Sequence, residues 1–327
     1  MFLGGLMTDL LVVGDIGIDT YYLLDEHDAC VNRPRNEQKA TLCFEMGEKI
    51  PVEEIKQTVG GNAANVSIAA TKLGLDTQII TYVGQDPDGR SALNTLEKNN
   101  VGIDEVKIGG QTNQTVALIY QTKRTLLVHH ELRNYVFSTK HNTRWLYLTS
   151  TNIGGDKMNN DLAEYIASKN VKFVFSPGTM QRHAGPGGYK NLLKQTDLIV
   201  MNLREARDYV KDKKSDVDKL LIKLKELGPE NAVITDETRG SYGIDNNNNL
   251  YHCPACRAKT VDDTGAGDAY SATLTVALSK GEALPEAMRW GSCNAASVVE
   301  HIGPQDGLLT LQKLKNKIEA CPLWRQL

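Results

Sequence analysis

Val261-Asp262-Asp263-Thr264-Gly265-Ala266-Gly267-Asp268-Ala269-Tyr270 is a turn of small residues that feeds directly into a helical pattern. Gly265, Ala266 and Gly267 leave backbone N–H groups uncovered at the start of that helix. Those donors, together with the helix dipole, suit an anion such as a phosphoryl group. Asp268 falls in the first turn, where a carboxylate is favoured and where it would face whatever the N–H groups hold. A carboxylate beside an anion hole is the pairing that phosphoryl transfer needs. One group accepts the proton of an attacking hydroxyl and the other stabilises charge on the transferring group. The same residues also make sense as a capped helix start with glycines for close packing, and taken alone the two readings stand level.

On both sides of this turn, short β-branched runs alternate with helical patterns. Strands are expected at Leu10–Val13, Thr77–Val83, Trp145–Thr149, Lys172–Ser176, Leu198–Asn202 and Ala232–Thr235. Helices are expected at Ala63–Leu73, Ser91–Asn99, Asp161–Lys169, Ser215–Leu227, Thr264–Ser279 and Pro285–His301. Such alternation predicts an α/β fold with a mostly parallel sheet covered by helices on both faces. Two stretches break the rhythm. Residues 37–46 and 114–131 carry β-type residues without intervening helices. They are expected to pair as a small antiparallel sheet over one end of the main domain, a lid that would exclude water. Asp25–Glu37 reads as a loop and Asn246–Asn249 as a hairpin turn.

The chain has 327 residues, 41% hydrophobic and 24% charged, with a net charge of −3. This is an ordinary globular composition, with enough apolar residues for a core that needs no disulfides. A slightly acidic balance argues against nucleic acid as the partner. No apolar stretch is long enough to span a bilayer, and a cytoplasmic location is expected. Of six cysteines, only Cys253 and Cys256 form a C-x-x-C pair. No second pair completes a zinc set, so reduced, structural thiols are expected.

The D-T-G-A-G-D stretch resembles the C-terminal signature of the ribokinase-like (PfkB) family of carbohydrate and nucleoside kinases. Gly60-Gly61-Asn62-Ala63-Ala64-Asn65 looks like that family's N-terminal glycine motif. Gly84-Gln85-Asp86-Pro87-Asp88-Gly89 matches its G-x-D-x-x-G turn, and Asn202-Leu203-Arg204-Glu205 its N-x-x-E. The motifs occur in the family's order over nearly the whole chain. Neither a dinucleotide G-x-G-x-x-G after a strand nor a Walker A lysine motif competes with them.

The resemblance implies a three-layer sandwich forming one domain over residues 1–327, with a lid from about 20–58 and 112–132. It implies that Asp268 is the general base and that the N–H groups of Gly265, Ala266 and Gly267 form the anion hole. Asp19, Gly61, Asn62 and Asn65 would bind acceptor hydroxyls. Asn202 and Glu205 would organise the triphosphate of ATP and Mg²⁺ through water. Thr235 and Gly240 would belong to the nucleotide loop, and Asn294 would lie near the adenine. Asp262, the Thr264 carbonyl and the loop at Gly303 match a site for a monovalent cation such as K⁺. Apart from the resemblance, an exposed edge of the lid sheet would favour a homodimer through the lid.

Several positions also have plain structural readings. Asp15 and Asp19 suit a strand-end turn, Asp86 a turn, and Asn202 with Glu205 a capping box. Lys213, Lys214 and Lys219 read as a solvated helix face. Three features depart from the family pattern. Glu237 stands where many members have glycine, and Asn62 replaces the lysine of ribokinases. Gly17 replaces a nearby asparagine. Arg33, Arg35 and Lys39 could meet an anionic acceptor but favour the surface. Three functions follow: a sugar kinase, a nucleoside kinase with Tyr21, Tyr22 or Phe44 stacking on a base, or a catalytically silent binder.

Overall fold

Leu10 and Val12 pack into one hydrophobic cluster, while Leu11 and Val13 pack into another, and all four are at most 1% exposed. A strand buried on both faces is a central strand between two helical layers. The same alternation recurs farther on, with Leu198 and Val200 on one side and Ile199 and Met201 on the other. The computed structural model describes residues 7–25, 30–32, 41–121, 123–138, 140–151 and 156–327.

The order begins with β1 (Thr8–Val13), β2 (Gly17–Leu24), β3 (Cys30–Asn32), β4 (Thr41–Cys43) and β5 (Val52–Gly60). Then come α1 (Asn62–Lys72), β6 (Thr77–Ile80), β7 (Tyr82–Val83), α2 (Pro87–Lys98), β8 (Lys107–Ile108), β9 (Asn113–Tyr120) and β10 (Lys123–His129). Next are β11 (Thr143–Leu148), α3 (Asp156–Lys169), β12 (Lys172–Phe175), α4 (Thr179–Ala184), α5 (Lys190–Leu193), β13 (Leu198–Asn202), α6 (Leu203–Tyr209) and α7 (Val217–Glu226). The chain closes with β14 (Asn231–Thr235), β15 (Ser241–Ile244), β16 (Leu250–Cys253), α8 (Ala266–Ser279), α9 (Leu284–Val298), α10 (Leu311–Ile318) and β17 (Arg325–Gln326).

The main sheet has nine strands in the order β17-β16-β15-β14-β13-β12-β11-β1-β6. It is parallel from β14 to β6 and antiparallel from β14 to β17. Residues of α1, α8, α9 and α10 pack on one face and those of α3, α5, α6 and α7 on the other. This is the three-layer α/β sandwich expected from the alternation. The four-stranded sheet β10-β9-β2-β5 forms the lid. Its middle strand β2 follows β1 after three residues, so the lid hangs directly from the carboxyl end of the main sheet. Among the described residues, no helix is long and apolar enough to cross a membrane.

Three expectations are corrected. Residues 41–43 do not pair with 114–131: β4 pairs with β3 in a separate ribbon. The partners of β9 and β10 are instead each other and β2. The 114–131 stretch holds two strands, folded back after Gln121, whose φ is 53°. The thiols are not all free, because Cys256 and Cys321 form a disulfide with Cα atoms 5.1 Å apart. Cys253 is free and buried. The C-x-x-C spacing was therefore no guide, since the partner of Cys256 lies 65 residues away. Part of the loop expected at 25–37 is β3. Arg33, Arg35 and Lys39 lie outside the described residues.

Candidate active site

A cavity of about 490 Å³ opens where the carboxyl ends of β1, β11, β12, β13 and β14 meet the lid and the start of α8. In open α/β sheets this end is where ligands bind. Of the residues singled out from sequence, Asp19, Gly61, Asn62, Asn65, Asn202, Glu205, Thr235, Thr264, Gly265, Gly267 and Asp268 line it.

Helix α8 begins from Gly265, whose φ of 76° is left-handed. A side chain there would also come within 2.6 Å of the Pro304 Cα, so glycine is required twice over. Ala266 N donates to the Asp263 carbonyl at a long 3.4 Å. The N–H groups of the next two residues belong to the first turn, where no preceding carbonyl can reach them. At Gly267 an added Cβ would meet nothing within 4 Å, so the approach to these donors is open.

Asp268 is gripped from α1. Asn62 Nδ2 donates to its Oδ1 and Asn65 Nδ2 to its Oδ2, both at 2.8 Å. Asn65 is itself fixed, because its Oδ1 accepts from Gln305 Nε2 at 3.1 Å and Gln305 also donates to the Val59 carbonyl. Burial pushes the Asp268 carboxyl up to about 6, with the two asparagine bonds pulling down and the charges of Glu205 and Asp19 pushing up. A carboxylate near 6 is a better base than a free one while still ionised at neutral pH. Asp19 is likewise raised by burial, offset in part by a hydrogen bond from Thr115 and the charge of Arg124.

Asn202 and Glu205 form the capping box their spacing predicted. Glu205 N donates to Asn202 Oδ1 at 2.9 Å and Asn202 N to Glu205 Oε2 at 3.0 Å. The other carboxylate oxygen, Oε1, meets Arg182 Nη1 at 3.0 Å. Both residues still line the cavity. With each Glu205 oxygen already engaged, the pair suits a hydrated Mg²⁺ rather than direct coordination.

The remaining candidates lie off the cavity wall. Asn294 is fully buried, donates to Thr273 Oγ1 at 2.7 Å and accepts from Leu309 N at 3.0 Å. Gly240 has φ 93° and packs against the Cys253–Ala255 backbone. Glu237 is exposed with φ 47°, which explains why glycine suits that position. Asp86 caps α2 by accepting from Gly89 N at 2.7 Å and also holds Thr112.

Sequence reasoning missed several polar contributors to the wall, Asn113 and Ser150 among them, and four more bear on the chemistry. These are Thr115, Arg124, His130 and Arg182. Asp15, read as a turn former, is also there; its Oδ1 accepts from Tyr135 OH at 2.6 Å, and His130 Nδ1 stands 3.8 Å from its Oδ2. Arg124 reaches from β10 to the turn before α8, where its Nη1 lies 3.2 Å from Asp262 Oδ1 and 2.9 Å from Asp263 Oδ1 and bonds Thr264 Oγ1. Of the three aromatics considered for stacking, only Tyr21 faces the cavity.

A family model for pfkB carbohydrate kinases matches residues 7–311. The chain belongs to the PfkB family. Its members are phosphotransferases with an alcohol group as acceptor. Among curated PfkB relatives, the chain is 24% identical to a 5-dehydro-2-deoxygluconokinase of Halalkalibacterium halodurans, over 82% of this chain and 88% of that one. It is 23% identical to a nucleoside kinase of Methanothermobacter thermautotrophicus, over 92% of each. Among solved structures, Arabidopsis thaliana ribokinase complexed with ribose and ATP superposes with a TM-score of 0.79 at 18% identity, covering 96% of this chain and 99% of that one. A putative ribokinase II from E. coli in complex with ATP and Mg²⁺ gives 0.73 at 16% identity, covering 96% and 99%. These likenesses agree with the ribokinase-like fold described above.

Proposed function

We propose that this PfkB protein transfers the γ-phosphoryl group of ATP to a hydroxyl of a small sugar or sugar-like acceptor. One observation carries the reading. The Asp268 carboxylate, raised by burial and held at both oxygens by α1, stands in the same helical turn as the open N–H groups of α8. In the step, the acceptor O–H gives its proton to Asp268. Its oxygen forms the new bond to the γ-phosphorus. The bond to the bridging oxygen breaks, and its electron pair leaves on ADP. The N–H groups of Gly265, Ala266 and Gly267 would meet the charge on the transferring group, that of Ala266 by giving up its long bond to the Asp263 carbonyl.

The acceptor side of the cavity carries Asp19, Asn62, Asn113 and Thr115, a wall of acceptors and donors suited to vicinal hydroxyls. Tyr21 alone faces in from the candidate stacking residues, which supports a sugar over a nucleoside. Mg²⁺ would neutralise charge on the triphosphate when bound. Asn202 and Glu205 would meet it through water, and Thr235 would stand beside the nucleotide.

The reading is tested by ATP consumption against sugars, sugar acids, sugar phosphates and nucleosides, with Asp268→Asn as control. Turnover on a sugar class that falls by roughly 10²- to 10⁴-fold in the variant supports it. Turnover confined to nucleosides replaces it with the nucleoside reading. Ligand binding without turnover on any acceptor makes the protein a silent binder.

A further inference from the structure

The monovalent-cation site that the resemblance implies does not fit the residues as they stand. Its one carboxylate, Asp262, is 9% exposed and is already served by the protein. Oδ2 accepts from Gly303 N at 2.8 Å. Oδ1 accepts from Thr264 N at 3.0 Å and Thr264 Oγ1 at 2.6 Å, and it faces the Arg124 guanidinium at 3.2 Å. Three of these four donors crowd Oδ1, more than its two lone pairs can serve, and the lone pair left on Oδ2 lies beside the Gly303 N–H. At Gly303 the loop presents an N–H to this carboxylate, a polarity that attracts an anion and repels a cation. The second carboxylate of the turn, Asp263, is 72% exposed, so water screens it, and the same guanidinium nitrogen reaches it too.

We propose that Arg124 does the work of a bound monovalent cation. It is a positioning residue that neutralises Asp262, fixes Thr264 and so orders the turn from which the N–H groups of α8 emerge. The inference rests on reading that turn as the phosphoryl site, although the neutralisation itself does not. The substitution has a mechanical consequence. A free ion binds the turn whatever the lid does, whereas Arg124 is part of lid strand β10. The charge that orders the anion hole therefore arrives with the lid. A second lid strand makes a parallel contact: Lys56 Nζ of β5 donates to the Ile302 carbonyl at 2.6 Å and meets Asp306 Oδ2 at 2.8 Å, on the loop that also carries Gly303.

The test compares the full chain with Arg124→Ala and Arg124→Lys in choline, sodium and potassium chloride at one ionic strength. Thermal unfolding needs no substrate. The unchanged protein should melt within about 1 °C in all three salts, because it offers no unfilled cation site. Arg124→Ala should melt lower in choline and recover with potassium, which can now reach Asp262. Arg124→Lys keeps the charge without the fork and should fall between them, with no response to potassium. Phosphoryl transfer on the acceptor found by the panel should follow the same order. The Arg124→Ala rate should drop about tenfold in choline and return severalfold in potassium. Potassium activation or stabilisation of the unchanged protein would sink the proposal. So would an Arg124→Ala variant that loses nothing in choline, or one that loses stability and potassium does not restore. If no salt gives transfer, the kinase reading fails while the melting comparison still decides the role of Arg124.

Discussion

Asp268 ties the chemistry to pH. Its carboxyl is pushed up to about 6 by burial, so the fraction able to accept a proton falls as the pH drops through that value. We expect kcat/KM to have an acid limb near pH 6. Asn65 donates to Asp268 Oδ2 and holds its pKa down. Asn65→Leu should therefore move the limb upward, by roughly one pH unit, with Gln305 still anchored on the Val59 carbonyl. A limb that stays put while kcat falls would mean that Asn65 serves the acceptor and not the base. The linkage to stability has the opposite sign from an ordinary paired aspartate. A raised carboxyl binds its proton more tightly in the folded chain, so folding loses stability as pH rises from about 4 to about 6. Asp268→Asn escapes that loss and should be more stable at neutral pH, by about 1–2 kcal/mol, with the gain vanishing near pH 4. Asp268, Asn62 and Asn65 were legible in the sequence because each lies in a short local motif. Arg124 was not, because it meets Asp262 across 138 residues of chain and nothing in Lys123-Arg124-Thr125 distinguishes it from any solvated strand charge.

Helix α2 shows how an element can be read and its start still be missed. The helical pattern in the sequence starts at Ser91, yet Asp86 is the N-cap and Pro87 opens the helix at Pro87–Lys98. The signal was present, since aspartate followed by proline is a common start. The G-x-D-x-x-G match drew the reading toward a turn instead. Both are true: Asp86 Oδ1 accepts from Gly89 N and from Thr112 Oγ1 at 2.6 Å, while Oδ2 accepts from Thr112 N at 2.8 Å. One carboxylate thus joins α2 to the chain entering lid strand β9. Asp86→Ala removes the cap and leaves the Thr112 N–H without its partner, at a cost of about 1–3 kcal/mol in unfolding free energy. Although its partial burial works the other way, the Thr112 and Gly89 bonds hold the Asp86 carboxyl below its ordinary value. Its contribution is therefore present above about pH 4 and is lost as pH falls through the lowered value, so the variant and the parent should converge in acid. Denaturant unfolding at pH 7 and pH 3 checks this; an unchanged gap between the two would refute it. Strands β2 and β5 were harder to see. Gly17–Leu24 is only half-buried at four of its positions and Val52–Gly60 is exposed at three consecutive residues, so neither shows the apolar run that marked the main sheet.

At the scale of the molecule, the parallel order of the main sheet was legible because strands buried on both faces leave continuous apolar runs. What joins the last helices to the rest was not. Cys256 lies on the segment between β16 and the turn that opens α8, and Cys321 follows α10. Their disulfide closes 65 residues of chain that contain the whole of α8, α9 and α10, hence Asp268 and the anion hole. A cross-link of that span restricts the unfolded chain, in the chain-entropy account, by on the order of 4 kcal/mol, and about 2–4 kcal/mol is commonly realised. Both cysteines are buried, at 8% and 7% exposure, so reductant reaches the bond slowly unless the segment opens. Cys321→Ser is the cleaner probe, since it leaves Cys256 in a site whose backbone N–H is still held by Ser292 Oγ at 3.0 Å. We expect it to lower the melting temperature by roughly 5 °C. It should leave the acid limb of Asp268 in place, because Asn62 and Asn65 hold that carboxylate from α1, outside the closed loop. A variant that keeps the parent's melting temperature would show that α8 to α10 are secured by packing on the sheet alone. One that loses the pH profile together with stability would show that the cross-link shapes the site itself.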